Sequence, residues 1–226
     1  MNQTKKIAIF DLDGTLIENH LWIGILKSQF KERRNIFWSF WYLISHMAVF
    51  PLWKMKLVST EKFYQDWIKD LPQMVKGMKV EEGESILKKV AENYLLPSAK
   101  KEVIEKLKEH QKNGVLTVLA SSSFQNLVEI VAKNLNIDFA LGTELEISGN
   151  KFTGQAILPL CFKEGKIEKI EKFLSEKNLK VDLKESFAYS DSSSDLPILN
   201  WVGNPVAVNP DKKLLNIAKE KKWQII

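Results

Sequence analysis

Short apolar runs enriched in β-branched residues recur at 7–10, 115–120, 187–190 and 206–208, and each leads into a polar loop and then a helical pattern. Runs this short are strand-length rather than helix-length. Strands separated by helices pair in parallel through right-handed crossovers that cover the sheet faces. The two ends of the chain therefore predict an α/β fold, a doubly wound parallel sheet with a Rossmann-like core. Between the first two runs the rhythm breaks. From Ile17 to about Tyr94, apolar and aromatic residues fall at helical spacing with almost no strand alternation. The expected organisation is a catalytic core of 1–16 plus 97–226 and a helical cap of 17–96. Pro97 and Ser98 open a charged helix that Asn113 and Gly114 close with a left-handed cap. Alternation around Ser148, Gly149 and Asn150 predicts a small β-hairpin over 144–153, and from Asp211 the chain returns to a polar helix.

Charge and cysteine content narrow the function classes. The net charge of +5 is carried almost entirely by lysine, Arg33 and Arg34 being the only arginines. Lysines such as Lys219, Lys221 and Lys222 alternate with acids or lie on helix faces, and no nucleic-acid module is present, so no nucleic-acid partner is expected. Cys161 is the only cysteine, which excludes an intrachain disulfide and favours the cytoplasm. The apolar run after Lys5 and Lys6 lasts four residues before Asp11, far short of a secretory signal.

Four places carry groups suited to chemistry. Asp11-Leu12-Asp13-Gly14-Thr15 follows the first strand directly; two carboxylates leaving a strand of an open α/β sheet sit where such folds bind ligands. The ordinary alternative is a solvated turn. Ser121 ends the second run ahead of Ser122, Ser123 and a helix expected near Phe124; a hydroxyl beside free N–H groups at a helix start suits an anion, although many such serines are only caps. Lys166 lies near a helix N-terminus, where it opposes the dipole unless an anion is there to be neutralised. In Tyr189-Ser190-Asp191-Ser192-Ser193-Ser194-Asp195 two carboxylates stand four residues apart after another strand. One can bind a metal and the other support it.

In this order, Asp11 to Thr15, Ser121, Lys166 and the Asp191/Asp195 pair resemble the four motifs of the haloacid dehalogenase-like superfamily. Gly165-Lys166, the stretch from Tyr189 to Pro197 and the stretch from Asn204 to Pro210 resemble, more narrowly, its phosphoserine phosphatase-like branch. The resemblance implies a phosphatase that hydrolyses a phosphate monoester through an aspartyl-phosphate on Asp11, with Asp13 as acid and base. It implies Mg²⁺ held by Asp11, the backbone carbonyl of Asp13 and Asp191, with Asp195 behind them. Thr15, Ser121 and Lys166 are expected to hold the phosphate. Ser190 stands where much of the family has Gly, and Ser194 where it often has Asn, which bears on fine positioning. A phosphotransferase, or a non-catalytic membrane-associated binding protein, are the alternatives on the same fold.

The cap bears on the substrate. Phosphoserine phosphatases of this branch carry a glutamate for the substrate amine where His20 aligns, and a cap arginine where this chain offers Lys54 and Lys56. L-phosphoserine is therefore the second choice behind another small organic or a lipid phosphate. The segment opening at Ile36 and closing at Trp53 includes Phe37, Trp38, Phe40, Trp41, Tyr42 and Phe50, with His46 its only titratable side chain apart from tyrosine, and basic residues flank it. Its length approaches that of a bilayer span, yet one crossing would put Asp11 and Ser121 on opposite sides. A peripheral anchor at the inner face of the membrane, a homodimer surface and a helix buried within the cap remain open.

Overall fold

A computed structural model describes residues 4–226, and the chain forms a six-stranded sheet with helices on both faces. The strands are β1 (Ile7–Phe10), β2 (Leu116–Phe124), β3 (Phe139–Thr143), β6 (Phe187–Ser190), β7 (Asn204–Ala207) and β8 (Gln224–Ile225). They are ordered β3-β2-β1-β6-β7-β8, and every neighbouring pair is parallel. The expected doubly wound sheet is observed. β3 and β8 lie outside the four runs that the sequence singles out. The first has only Phe139, Ala140 and Leu141 to offer before Gly142, and the second is two residues long.

Side chains alternate across the sheet as a two-residue period requires. Ala8, Phe10, Leu119, Tyr189 and Val206 face the layer of α5 (Lys101–Lys112) and α6 (Gln125–Asn134). Ile7, Ile9, Val118, Ala120, Ala188 and Ala207 face α7 (Glu164–Glu176), α8 (Leu196–Trp201) and α9 (Lys212–Glu220). Strand β1 is central and wholly buried, which is why its sequence is continuously apolar. The chain runs outward from β1 to β3, then returns to place β6 on the other side of β1. The carboxyl end of β1 is therefore the topological switch point, where the crevice of such a sheet lies.

Between β1 and α5 every named element is helical: α1 (Leu21–Glu32), α2 (Ile36–Lys54), α3 (Thr60–Asp70) and α4 (Val80–Val90), with short 3-10 or π turns over 71–75 and 91–98. The charged helix expected from Pro97 begins later, at Lys101, because Leu96–Ser98 form a 3-10 turn. Asn113 and Gly114 end it as expected, Gly114 taking φ +68°. The expected hairpin forms as β4 (Leu145–Ser148) and β5 (Lys151–Ala156), turning through Gly149 and Asn150, both at positive φ. Its packing was not foreseen. Gly77 N–H donates to the Phe152 carbonyl at 2.8 Å and Phe152 N–H to that of Met78 at 3.0 Å, so β5 adds to a cap segment. The Phe152 ring lies against Gly83, where a Cβ would come within 2.4 Å. A boundary drawn at 96/97 thus leaves one core hairpin packed on the cap.

Candidate active site

Asp11 is the first residue beyond β1, its N–H donating to the Tyr189 carbonyl at 3.0 Å. Pairing of Phe10 with Leu119 and with Tyr189 brings the ends of β1 and β6 level with the middle of β2. Asp11, Ser121 and the Ser190-Asp191 pair are thereby delivered to the switch point by β1, β2 and β6. The loop after Asp11 is tight: Gly14 N–H donates to the Ile17 carbonyl at 2.9 Å and Ile17 N–H to that of Leu12 at 3.1 Å. Gly14 takes φ +83°, and a Cβ there would fall 2.3 Å from Asp191 Oδ2. Both backbone freedom and the missing side chain are needed for Asp191 to approach this loop.

Lys166, two residues into α7, is buried, and its ammonium sits between two carboxylates, 2.7 Å from Asp11 Oδ1 and 2.7 Å from Asp195 Oδ2. Burial draws the Lys166 pKa down, but Asp11 and Asp195 more than reverse this and hold it charged. Asp195 also accepts from Ser190 Oγ at 2.7 Å, so the serine found in place of the family's usual glycine fixes the carboxylate that fixes Lys166. Asp11 is pushed up to about 8, chiefly by burial, with Asp195 and Asp191 adding to the rise and Lys166 opposing it. Asp191 is likewise raised by burial, against a hydrogen bond from Thr15.

Thr15 Oγ1 donates to Asp191 Oδ1 at 2.9 Å, lies 3.4 Å from Asp11 Oδ2, and accepts from Asp191 N–H at 2.9 Å. One buried hydroxyl thus gathers two carboxylates. Asp13 points elsewhere: Oδ2 accepts from Ser123 Oγ at 2.6 Å, and Oδ1 from Leu21 N–H at 2.9 Å, the first residue of α1. The Asp13 carboxylate therefore caps the first helix of the cap from outside, a service that His20 at the N-cap position does not supply. His20 Nδ1 is 3.9 Å from Asp13 Oδ1.

Ser121 differs from its expected setting. The strand continues to Phe124 with an irregularity in its pairing, and α6 starts at Gln125, so Ser121 lies inside β2 rather than at a helix start. Its hydroxyl accepts from Ser123 N–H at 3.1 Å. Four residues that sequence reasoning did not assign also shape the site. They are Ser123 on Asp13; Lys100, whose ammonium donates to the Gly14 carbonyl and, at 3.0 Å, to Asn209 Oδ1; Asn209 itself; and Asp211, which accepts from Ser193 N–H at 2.6 Å.

Two carboxylates, Asp11 and Asp195, hold one buried ammonium, while Asp191 is tied to Thr15 and Asp13 to Ser123 and Leu21. Asp191 forms no ion pair among the described residues, and no group of three His, Cys, Asp or Glu side chains converges as a metal cage among them. Asp11 and Asp191, drawn together by the Thr15 hydroxyl, nevertheless fit a hard cation that takes few protein oxygens and keeps most of its waters, which is the coordination habit of Mg²⁺.

The chain matches the haloacid dehalogenase-like hydrolase family over residues 8–200. It is 30% identical to a histidinol-phosphatase of Neisseria meningitidis across 98% of both chains, and 31% identical to a phosphoserine phosphatase of Haemophilus influenzae over 58% of this chain and 40% of that one. A solved structure, the phospho-aspartyl intermediate analogue of a phosphoserine phosphatase, superposes with a TM-score of 0.64 at 19% identity, covering 99% of this chain and 93% of the other. With the family match spanning most of the chain and a phosphatase related to it from end to end, the protein belongs to the haloacid dehalogenase-like hydrolases and is a phosphatase of their phosphoserine phosphatase-like branch.

Proposed function

We propose that this phosphatase works through an aspartyl-phosphate on Asp11, with Asp13 as acid and base and Mg²⁺ as its cofactor. The observation that carries the proposal is the position of Asp11 at the switch point with the Lys166 ammonium 2.7 Å from its carboxylate. A carboxylate facing an incoming phosphate ester needs a fixed positive charge beside it, and Lys166 is held there by Asp195 rather than left to search.

In the first step a carboxylate oxygen of Asp11 attacks phosphorus, the ester P–O bond breaks, and the leaving alkoxide takes a proton from Asp13. In the second step Asp13 removes a proton from water, whose oxygen attacks phosphorus and returns Asp11 to its carboxylate with release of phosphate. Lys166 and the Ser121 hydroxyl bind the phosphoryl oxygens in both steps, and Thr15 keeps Asp11 and Asp191 in register. The groups available to hold Mg²⁺ are Asp11, the Asp13 carbonyl and Asp191; when bound, the ion offsets repulsion between carboxylate and phosphate and stabilises charge in the transfer.

The proposed substrate is a phosphate monoester of a small organic or lipid alcohol. The named relatives make histidinol phosphate and phosphoserine the small-molecule members of the panel. Phosphoserine ranks lower because His20, not an acid, stands beside Asp13. The intact set of Asp11, Asp13, Ser121, Lys166 and Asp191 disfavours a non-catalytic role. Phosphate release from this panel should require added Mg²⁺ and disappear in Asp11→Asn. Turnover by that variant above background, with contaminating phosphatase excluded, eliminates the covalent route.

A further inference from the structure

Helix α2 is inside out. Its buried residues are Ser39, Tyr42 and His46, and each is held by polar contacts to the rest of the cap. The Ser39 hydroxyl donates to Gln29 Oε1, the Tyr42 hydroxyl donates to the Trp67 carbonyl at 2.9 Å, and His46 Nε2 lies 3.6 Å from Asp70 Oδ2. The opposite face is apolar. Phe37 is 69% exposed, Trp41 54%, Ile44 59% and Met47 57%, and Leu52 and Met55 continue the stripe at 43% and 68%. Steps of three to five residues put these side chains on one side of the helix. A helix facing water shows the reverse arrangement, and a large apolar patch rimmed by polar residues marks a surface that meets another apolar medium. The reading in which this helix is buried within the cap does not hold, since Ser39, Tyr42 and His46 are its only buried residues.

We infer that the outer face of α2 is an in-plane anchor for an anionic membrane surface. The charges at its ends decide between lipid and a second copy of the chain. Arg33 and Arg34 precede the helix, Lys54 and Lys56 close it, and no acidic residue occurs from 33 to 60; Arg34 is partly offset by Glu82 at 3.5 Å, which leaves Arg33 to carry that end. A second copy laid along this face, parallel or antiparallel, brings cations onto cations at both ends. A plane of anionic head groups neutralises both ends at once while the aromatic side chains enter the acyl boundary. Crossing is excluded by the inner face, because Ser39, Tyr42 and His46 fasten the middle of the helix to Gln29, Trp67 and Asp70. The helix therefore lies flat, with the cap above it.

The test reads binding, not turnover, and so is independent of the catalytic proposal. The full chain is floated with vesicles of phosphatidylcholine alone and of phosphatidylcholine mixed with phosphatidylglycerol, beside a Phe37→Ser/Trp41→Ser/Ile44→Ser variant and an Arg33→Glu/Lys56→Glu variant. The expected result is flotation that rises with phosphatidylglycerol content and falls about tenfold or more in each variant, with melting temperatures unchanged because the replaced side chains are exposed. Three results overturn it: failure to float with any vesicle; equal flotation of the triple variant; or a lipid-free dimer that the triple variant converts to monomer, which would assign the face to a second copy.

Discussion

Replacing Asp11 with Asn is expected to stabilise the metal-free protein, by an amount that grows with pH. The Asp11 carboxyl is pushed from 3.8 up to about 8, mainly by burial and then by Asp195 and Asp191 against the pull of Lys166. The folded chain therefore keeps a proton that the unfolded chain has lost. Stability from this group is complete below pH 4, declines as pH rises, and is gone above the folded-state value near 8. One proton is worth about 1.4 kcal/mol per pH unit, so the interval sets a ceiling of about 6 kcal/mol. Lys166 is shared by Asp11 and Asp195, and the cluster adjusts as either one titrates. A gain of about 2–3 kcal/mol above pH 8 is the expected outcome, roughly 5–10 °C in melting temperature for a chain of this size. Asn keeps the volume of Asp and leaves Lys166 facing one carboxylate, so no buried charge is orphaned. Thermal melts of both proteins in chelator, from mildly acidic to mildly alkaline buffer, measure the gap. A gap that does not widen with pH, or a variant less stable than the wild type at alkaline pH, refutes the reasoning. Adding Mg²⁺ at alkaline pH should then raise the melting temperature of the wild type and leave the variant nearly unmoved.

Gly14→Ala should keep the fold but weaken activation by Mg²⁺ and lower turnover about 10²-fold or more, because its Cβ would stand 2.3 Å from Asp191 Oδ2 in a backbone conformation at φ +83°; a Mg²⁺ titration of activity checks this. Lys166→Met should abolish activity and cost about 3–5 kcal/mol of stability in urea unfolding near neutral pH, since it removes the only ammonium paired with Asp11 and Asp195 among the described residues.

The core sheet was legible because burial on both faces writes itself into sequence. β1 is a continuous apolar run and β6 is apolar or aromatic up to its last residue, Ser190, and the two occupy the centre of the sheet. The edges were not legible. β8 pairs on one side only and needs no apolar run, while β3 is interrupted by Gly142, whose Cβ would collide with the Gln125 backbone at 2.7 Å. The start of α6 falls within one residue of its expected place near Phe124, but the conformation of the serines before it was not legible. Ser121, Ser122 and Ser123 read as helix-capping residues, but the chain stays extended through them so that Ser123 can reach Asp13.

For the site, spacing revealed the residues that follow a strand directly, and it could not reveal those that arrive from elsewhere. Lys100 meets the Gly14 carbonyl and Asn209 across 86 and 109 positions of sequence, and nothing in the local pattern distinguishes it from its neighbour Lys101. The pairing of Ser190 with Asp195 is an intermediate case: the serine was visible as a departure from the family pattern, but only the 2.7 Å contact turns that departure into a function. Helix α2 marks the limit of composition most sharply. Its apolar length is equally compatible with a core helix, a subunit contact and a membrane surface. The direction in which Ser39, Tyr42 and His46 point breaks the tie against the core helix, because polar groups turned inward onto protein leave the apolar ones facing out. The cations at both ends then weigh against a second copy, since no orientation of an identical helix can neutralise them.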